Sequence, residues 1–90
     1  MMDVMLRVAF GQCVRALRKR AGIAQEALAL AAGIDRGYMG ALERGAHSPS
    51  IEMIYRLLTP LKISFTDFAI EYEKCLRRAR REKKTNGGAA

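Results

Sequence analysis

The sequence predicts an all-α chain. Three observations lead there. Apolar residues recur at three- and four-residue spacing along most of the chain, as on the buried face of a helix. No segment carries a strand signal and no long internal repeat is present. Residues 25–45 (QEALALAAGIDRGYMGALERG) read as two short helices around a tight turn.

The first helix is expected from about Leu6 to Arg20, with Phe10, Val14 and Leu17 as its buried stripe. Arg15, Arg18, Lys19 and Arg20 lie toward its C-terminal end, where the helix dipole favours positive charge, and Gly22 caps it. The second helix is expected over Gln25 to Ala32. Gly33 follows where the chain must reverse, since glycine reaches positive φ at little cost. Ile34 drops into the core, and Asp35 is the N-cap of a third helix from Arg36 to Arg44. Met39 and Leu42 share its buried side, leaving Arg36, Gly37, Tyr38 and Ala41 facing out, and Gly45 ends it.

After a loop at 45–49, Ser50 caps a fourth helix whose apolar face is Ile51, Ile54, Leu57 and Leu58, ending near Leu58 because Pro60 breaks the pattern. A fifth helix begins after Ser64, with Asp67 placed as in a capping box. Its stripe of Phe65, Phe68, Ala69, Tyr72, Cys75, Leu76 and Ala79 is long, and carries the helix to about residue 82. Residues 1–84 thus form one domain with a core at about 8–68, and the tail at 85–90 is expected to be disordered.

Ninety residues are enough for one compact core and not for two. The net charge is +7, but residues 77–84 (RRARREKK) hold +5 of it, so the remainder is only weakly basic. That segment either contacts phosphate or stays solvated. The longest uncharged run, Ala27 to Ile34, is too short to span a bilayer, and no secretion signal is visible. Cys13 and Cys75 lie far apart along the chain and are expected to be free thiols; with one histidine, no metal site is expected.

The run G-I-A-Q-E-x-L-A-x-x-A-G-I-D-R-x-Y-x-x-x-L-E-R-G at 22–45, followed by Pro49 and Ser50, closely resembles the phage-repressor/Cro-like (Xre) family of helix-turn-helix DNA-binding domains. The resemblance covers roughly residues 8–68 and implies a five-helix repressor-like domain, here with an extended C-terminal helix. The D-R-x-Y-x-x-x-L-E-R-G stretch in a short chain also looks like the controller proteins of restriction-modification systems. Stand-alone phage-type repressors and antitoxins look similar.

The residues then take roles. Arg36 heads the helix that would enter a major groove, where a guanidinium donates two hydrogen bonds to guanine O6 and N7. Gly37 is silent at a position that often reads bases in the family. Tyr38 either contacts a base or phosphate or packs on the following loop, and Ala41 offers an apolar contact in the groove. The resemblance gives Gln25 a phosphate contact and a bracing role beside a base-reading side chain. Arg44, His47 and Ser48 fall where similar domains touch the sugar-phosphate backbone. Arg18 and Glu43 match a family pair expected to join the first and third helices, with Arg18 also presented to a phosphate. Ala24 departs from the usual serine or threonine before the glutamine and forfeits a capping bond.

The expected function is a sequence-specific double-stranded DNA-binding regulator of transcription, cytoplasmic and nucleoid-associated. It would act as a homodimer on a pseudo-palindromic operator, because one unit reads few base pairs. Phe65, Phe68, Tyr72 and Leu76 are the expected dimer interface, the alternative being that the last helix folds back on its own core. The other function class is a helical protein-interaction module, such as an antitoxin, with incidental DNA affinity. A membrane role is disfavoured by Glu71 and Glu73. No cofactor or small-molecule ligand is implied, and no nucleophile–base pair suggests an enzyme.

Overall fold

The computed structural model describes residues 3–89, with side chains through residue 82. Five helices follow one another: α1 (Val4–Arg20), α2 (Gln25–Ala32), α3 (Arg36–Glu43), α4 (Ile51–Leu61) and α5 (Phe65–Ala89). The described residues contain no strand.

Capping chemistry sets most of the boundaries. Asp3 accepts a hydrogen bond from the Leu6 backbone N–H at 2.9 Å, so α1 starts at Val4, two residues before the expected Leu6. Gly33 takes φ +69 and ends α2, with Gly33 N–H donating to Leu30 O and Ile34 N–H to Ala29 O. Asp35 then accepts from the Tyr38 N–H at 3.2 Å and opens α3. Ser50 Oγ does the same for Met53 at the head of α4, and Ser64 Oγ for Asp67 at the head of α5.

Two further boundaries differ from expectation. The fourth helix does not stop near Leu58; it runs through Pro60 to Leu61 and ends on Lys62 in the left-handed region. A proline one residue from a helix end removes a single N–H donor, and its fixed φ is already helical. In the same turn the Thr59 hydroxyl donates to Tyr55 O at 2.9 Å. The backbone of α5 is helical as far as Ala89, where disorder was expected at 85–90; the side chains there, and residue 90, lie outside the described residues.

α1 is the central strut, packed along α5 and across α3. One core of Phe10, Cys13, Val14, Leu17, Leu28, Met39, Leu42, Leu57, Leu58 and Phe68 joins all five helices. Phe10 meets the Phe68 ring edge-on at 5.7 Å, and Phe68 stacks on Tyr72 at 6.0 Å. Gly11 is where α1 comes closest to α3: a Cβ there would fall on the backbone carbonyls of Leu42 and Glu43, 2.5 Å from the former. The consequence is that the C-terminal half of α3 is clamped against α1 while its N-terminal half stands clear.

Candidate nucleic-acid interface

The site grows out of that asymmetry. Arg36 and Gly37, the first two residues of α3, are exposed, whereas Met39 and Leu42 are fully buried. One helical turn on from Arg36 comes Gly40, and one turn further the exposed Arg44, which caps the helix. Gly37 alone leaves the backbone bare at the exposed head of α3, beside Arg36, whereas Gly40 is buried beneath its neighbours.

Gln25 reaches over from the start of α2. Its Nε2 donates to Glu43 Oε1 at 3.1 Å, and its side chain and that of Arg44 both lie over Gly40. The residue that Gln25 braces is therefore Glu43, not the arginine at the head of α3. Ala24 supplies no side-chain cap, which leaves the first N–H groups of α2 without an intrahelical or side-chain acceptor. A helix end in that state favours an anion.

Arg18 sits behind Gln25. Its Nε donates to Glu43 Oε2 at 2.7 Å, its Nη2 to Glu43 Oε1 at 3.1 Å, and its Nη1 to Ile23 O at 2.9 Å. The hydrogen bond to Glu43 raises its pKa above the ordinary guanidinium value against the opposing effect of burial, so the guanidinium stays charged. The residue is 9% exposed. Arg18 is thus a structural member of the α1–α3 joint, and its expected contact with phosphate is corrected, because every nitrogen is already engaged inside.

Ala41 is also corrected. It is 8% exposed and offers no face to a groove. Tyr38 is half-buried, and its ring stacks on His47 at 5.1 Å and 15°. Of its two expected settings, this geometry is the packing against the loop. His47 and Ser48 are exposed beside it, and with Arg44 they rim the same end of α3.

The expected dimer stripe divides. Phe68 is 4% exposed and belongs to the core. The Tyr72 hydroxyl donates to Leu6 O at 2.9 Å, and Leu76 packs against the same core. These three face inward, because the stripe of α5 covers α1 as its own partner. Phe65 alone stays exposed, stacked on the exposed Tyr55 of α4 at 5.4 Å.

Sequence reasoning missed Glu26, whose Oε1 lies 2.7 Å from Arg36 Nη1. Local periodicity carries no sign of it, since the two residues belong to different helices and meet only after the turn at Gly33 is made. It also missed Gly11 and Gly40, whose signal is a small residue at a helix crossing. The described residues contain no group of three metal-capable side chains, and no helix long and apolar enough to cross a membrane.

Two helices at a fixed angle, the second held by its C-terminal half and offering its N-terminus with an arginine, define a helix-turn-helix unit. Comparison with known proteins places it. The helix-turn-helix model HTH_3 matches residues 14–68, and the chain belongs to that family. SlrR, an HTH-type transcriptional regulator of Bacillus subtilis (strain 168), is 30% identical over 69 residues, which cover 71% of this chain and 45% of SlrR. The chain thus spans about half the length of that relative. The clp gene regulator ClgR of Corynebacterium glutamicum superposes with a TM-score of 0.82 at 28% identity, covering 90% of this chain and 86% of that one. The restriction-modification controller protein C.AhdI of Aeromonas hydrophila does so with a TM-score of 0.65 at 43% identity, covering 68% and 92%.

Proposed function

We propose that the chain is a sequence-specific regulator that binds double-stranded DNA as a homodimer, with α3 in the major groove of each half-site. The observation that carries this reading is the exposed head of α3, where Arg36 and Gly37 both face water. A guanidinium at that place matches the O6 and N7 pair of guanine. The uncapped start of α2, with Gln25, and the rim of Arg44, His47 and Ser48 are placed to take phosphates on either side and so to set register. Tyr38 reads a base only if it leaves His47, and otherwise stiffens the loop that carries the rim.

The second copy is taken on the exposed side of α4 and the start of α5, where Ile51, Tyr55 and Phe65 leave apolar surface in water. Two copies related by a dyad read a pseudo-palindrome with half-sites about one turn of DNA apart. Within this class, the similarity to C.AhdI at 43% identity favours a restriction-modification controller over a free-standing regulator. A restriction endonuclease gene beside this one is the check on that narrower reading.

The test is binding of the purified protein to its own upstream DNA in a mobility shift with nonspecific competitor, for wild type and Arg36→Ala. A discrete complex that survives competitor and disappears in the variant supports the reading. Diffuse, salt-sensitive binding that is equal in both proteins assigns the affinity to the basic end of α5 and favours the protein-interaction module instead.

A further inference from the structure

Glu26 has no place in the roles above, yet it makes a short ion pair with the residue that matters most to them. Arg36 Nη1 and Glu26 Oε1 are 2.7 Å apart, with 74% and 64% of the two side chains exposed. A pair so open to water does little for the stability of a fold. The Glu26 carboxylate takes no part in the hydrogen bonds of the Arg18–Glu43–Gln25 cluster. Besides lying in the first turn of α2, where the helix dipole favours it, its carboxylate bears on the direction of the Arg36 guanidinium.

An exposed arginine at a helix N-terminus is otherwise free to swing to the nearest phosphate, which it holds as firmly as a base edge and without regard to sequence. A carboxylate on one edge of the fork prevents that in two ways. It fixes the guanidinium over the entrance of α3 while leaving N–H groups on the other edge free. It also sets a negative charge beside the arginine that repels a charged phosphate more strongly than the neutral acceptors of a guanine edge. We infer that Glu26 is a specificity-determining residue, holding Arg36 off the DNA backbone and aiming it at guanine. The inference deepens the DNA-reading function proposed above and rests on it.

The experiment begins with duplexes selected by the wild-type protein from a random pool. For each protein, the affinity for the selected duplex is divided by that for the same duplex with each guanine replaced in turn. Wild type, Glu26→Gln, Glu26→Ala and Arg36→Ala are compared, with circular dichroism as the check that all are folded. The expected result has three parts. Both Glu26 variants lose about tenfold of the discrimination at the guanine whose contribution Arg36→Ala abolishes, the order of one bidentate base contact. They bind nonspecific duplex more tightly than wild type. Their nonspecific affinity also falls more steeply with salt, as one more phosphate contact demands. If the Glu26 variants keep the wild-type ratio while Arg36→Ala loses it, Glu26 is a bystander and the inference alone is overturned. If Arg36→Ala keeps the ratio too, or the wild type selects no sequence, the DNA-reading function fails and the inference falls with it.

Discussion

Arg18 and Glu43 share two hydrogen bonds, of 2.7 and 3.1 Å, across the joint between α1 and α3. The carboxylate that receives them also receives Gln25 from α2. Three helices therefore converge on one buried charge, and the angle at which α3 leaves the body of the protein is set there. Breaking a buried pair from one side leaves an uncompensated charge and costs about 3–5 kcal/mol. Arg18→Ala is expected to lower the urea midpoint by that order without changing the slope. Glu43→Gln leaves Arg18 without its counter-charge and turns an NH2 toward one of its donors, so a loss of the same order is expected. Unchanged unfolding in Arg18→Ala would show that the joint is held by packing alone.

Gly11 makes the same joint from the other direction. A methyl group at this position meets the backbone of Leu42 and Glu43, which has nowhere to retreat. Gly11→Ala gains roughly 1 kcal/mol in helix propensity. It loses more, since overpacking of this kind costs about 1–3 kcal/mol. The expected net result is a lower melting temperature and weaker specific DNA binding, because α3 is pushed off its angle. A rise in melting temperature would mean that the contact between α1 and α3 opens to admit a methyl group without loss.

The two cysteines supply a pH dependence. Cys13 on α1 and Cys75 on α5 are both buried free thiols, brought together by the packing of those helices. Burial pushes the Cys13 thiol well above its ordinary 9.0, and the neighbouring Cys75 adds to this. A group with a raised folded-state pKa gives stability that is complete below its unfolded value and lost as pH rises past it. Thermal stability is thus expected to hold up to about pH 9 and decline above it. Tyr72, raised above 10.0 chiefly by burial and next by Asp3, adds to the same decline at higher pH. The decline should be shallower in Cys13→Ala. Parallel curves for the two proteins would remove Cys13 from the account.

The aromatic residues of α5 separate folding from assembly. Phe68→Ala empties a site in the core, and the expected cost is about 3–5 kcal/mol. Tyr55→Glu places a charge on a surface already in water, so the monomer should stay folded. If Ile51, Tyr55 and Phe65 form the contact between copies, sedimentation should show Tyr55→Glu to be monomeric at concentrations where wild type is a dimer. A dimer that survives Tyr55→Glu places the contact elsewhere.

The sequence by itself determined what short-range chemistry decides. Asp35, Ser50 and Ser64 are side-chain caps wherever they precede an apolar-periodic run, and Gly33 turns the chain because it reaches positive φ cheaply. The all-α class, the helix-turn-helix and the exposed Arg36 follow from such local rules. The Arg18–Glu43 pairing came from the family pattern, since nothing in 25 residues of separation marks the two as neighbours. What only the tertiary structure decided is what lies over each helix face. Periodicity says that Ala41, Phe68, Tyr72 and Leu76 share faces with their neighbours; it does not say whether a loop, α1 or a second chain covers them. Here Ala41 is buried within the fold, and α1 covers the stripe of α5, with Phe68 and Tyr72 against Phe10 and Leu76 on the same core. Likewise Arg18 lies inside and Glu26 meets Arg36: both contacts are made between helices, and exist only once the turns have set the helices against each other.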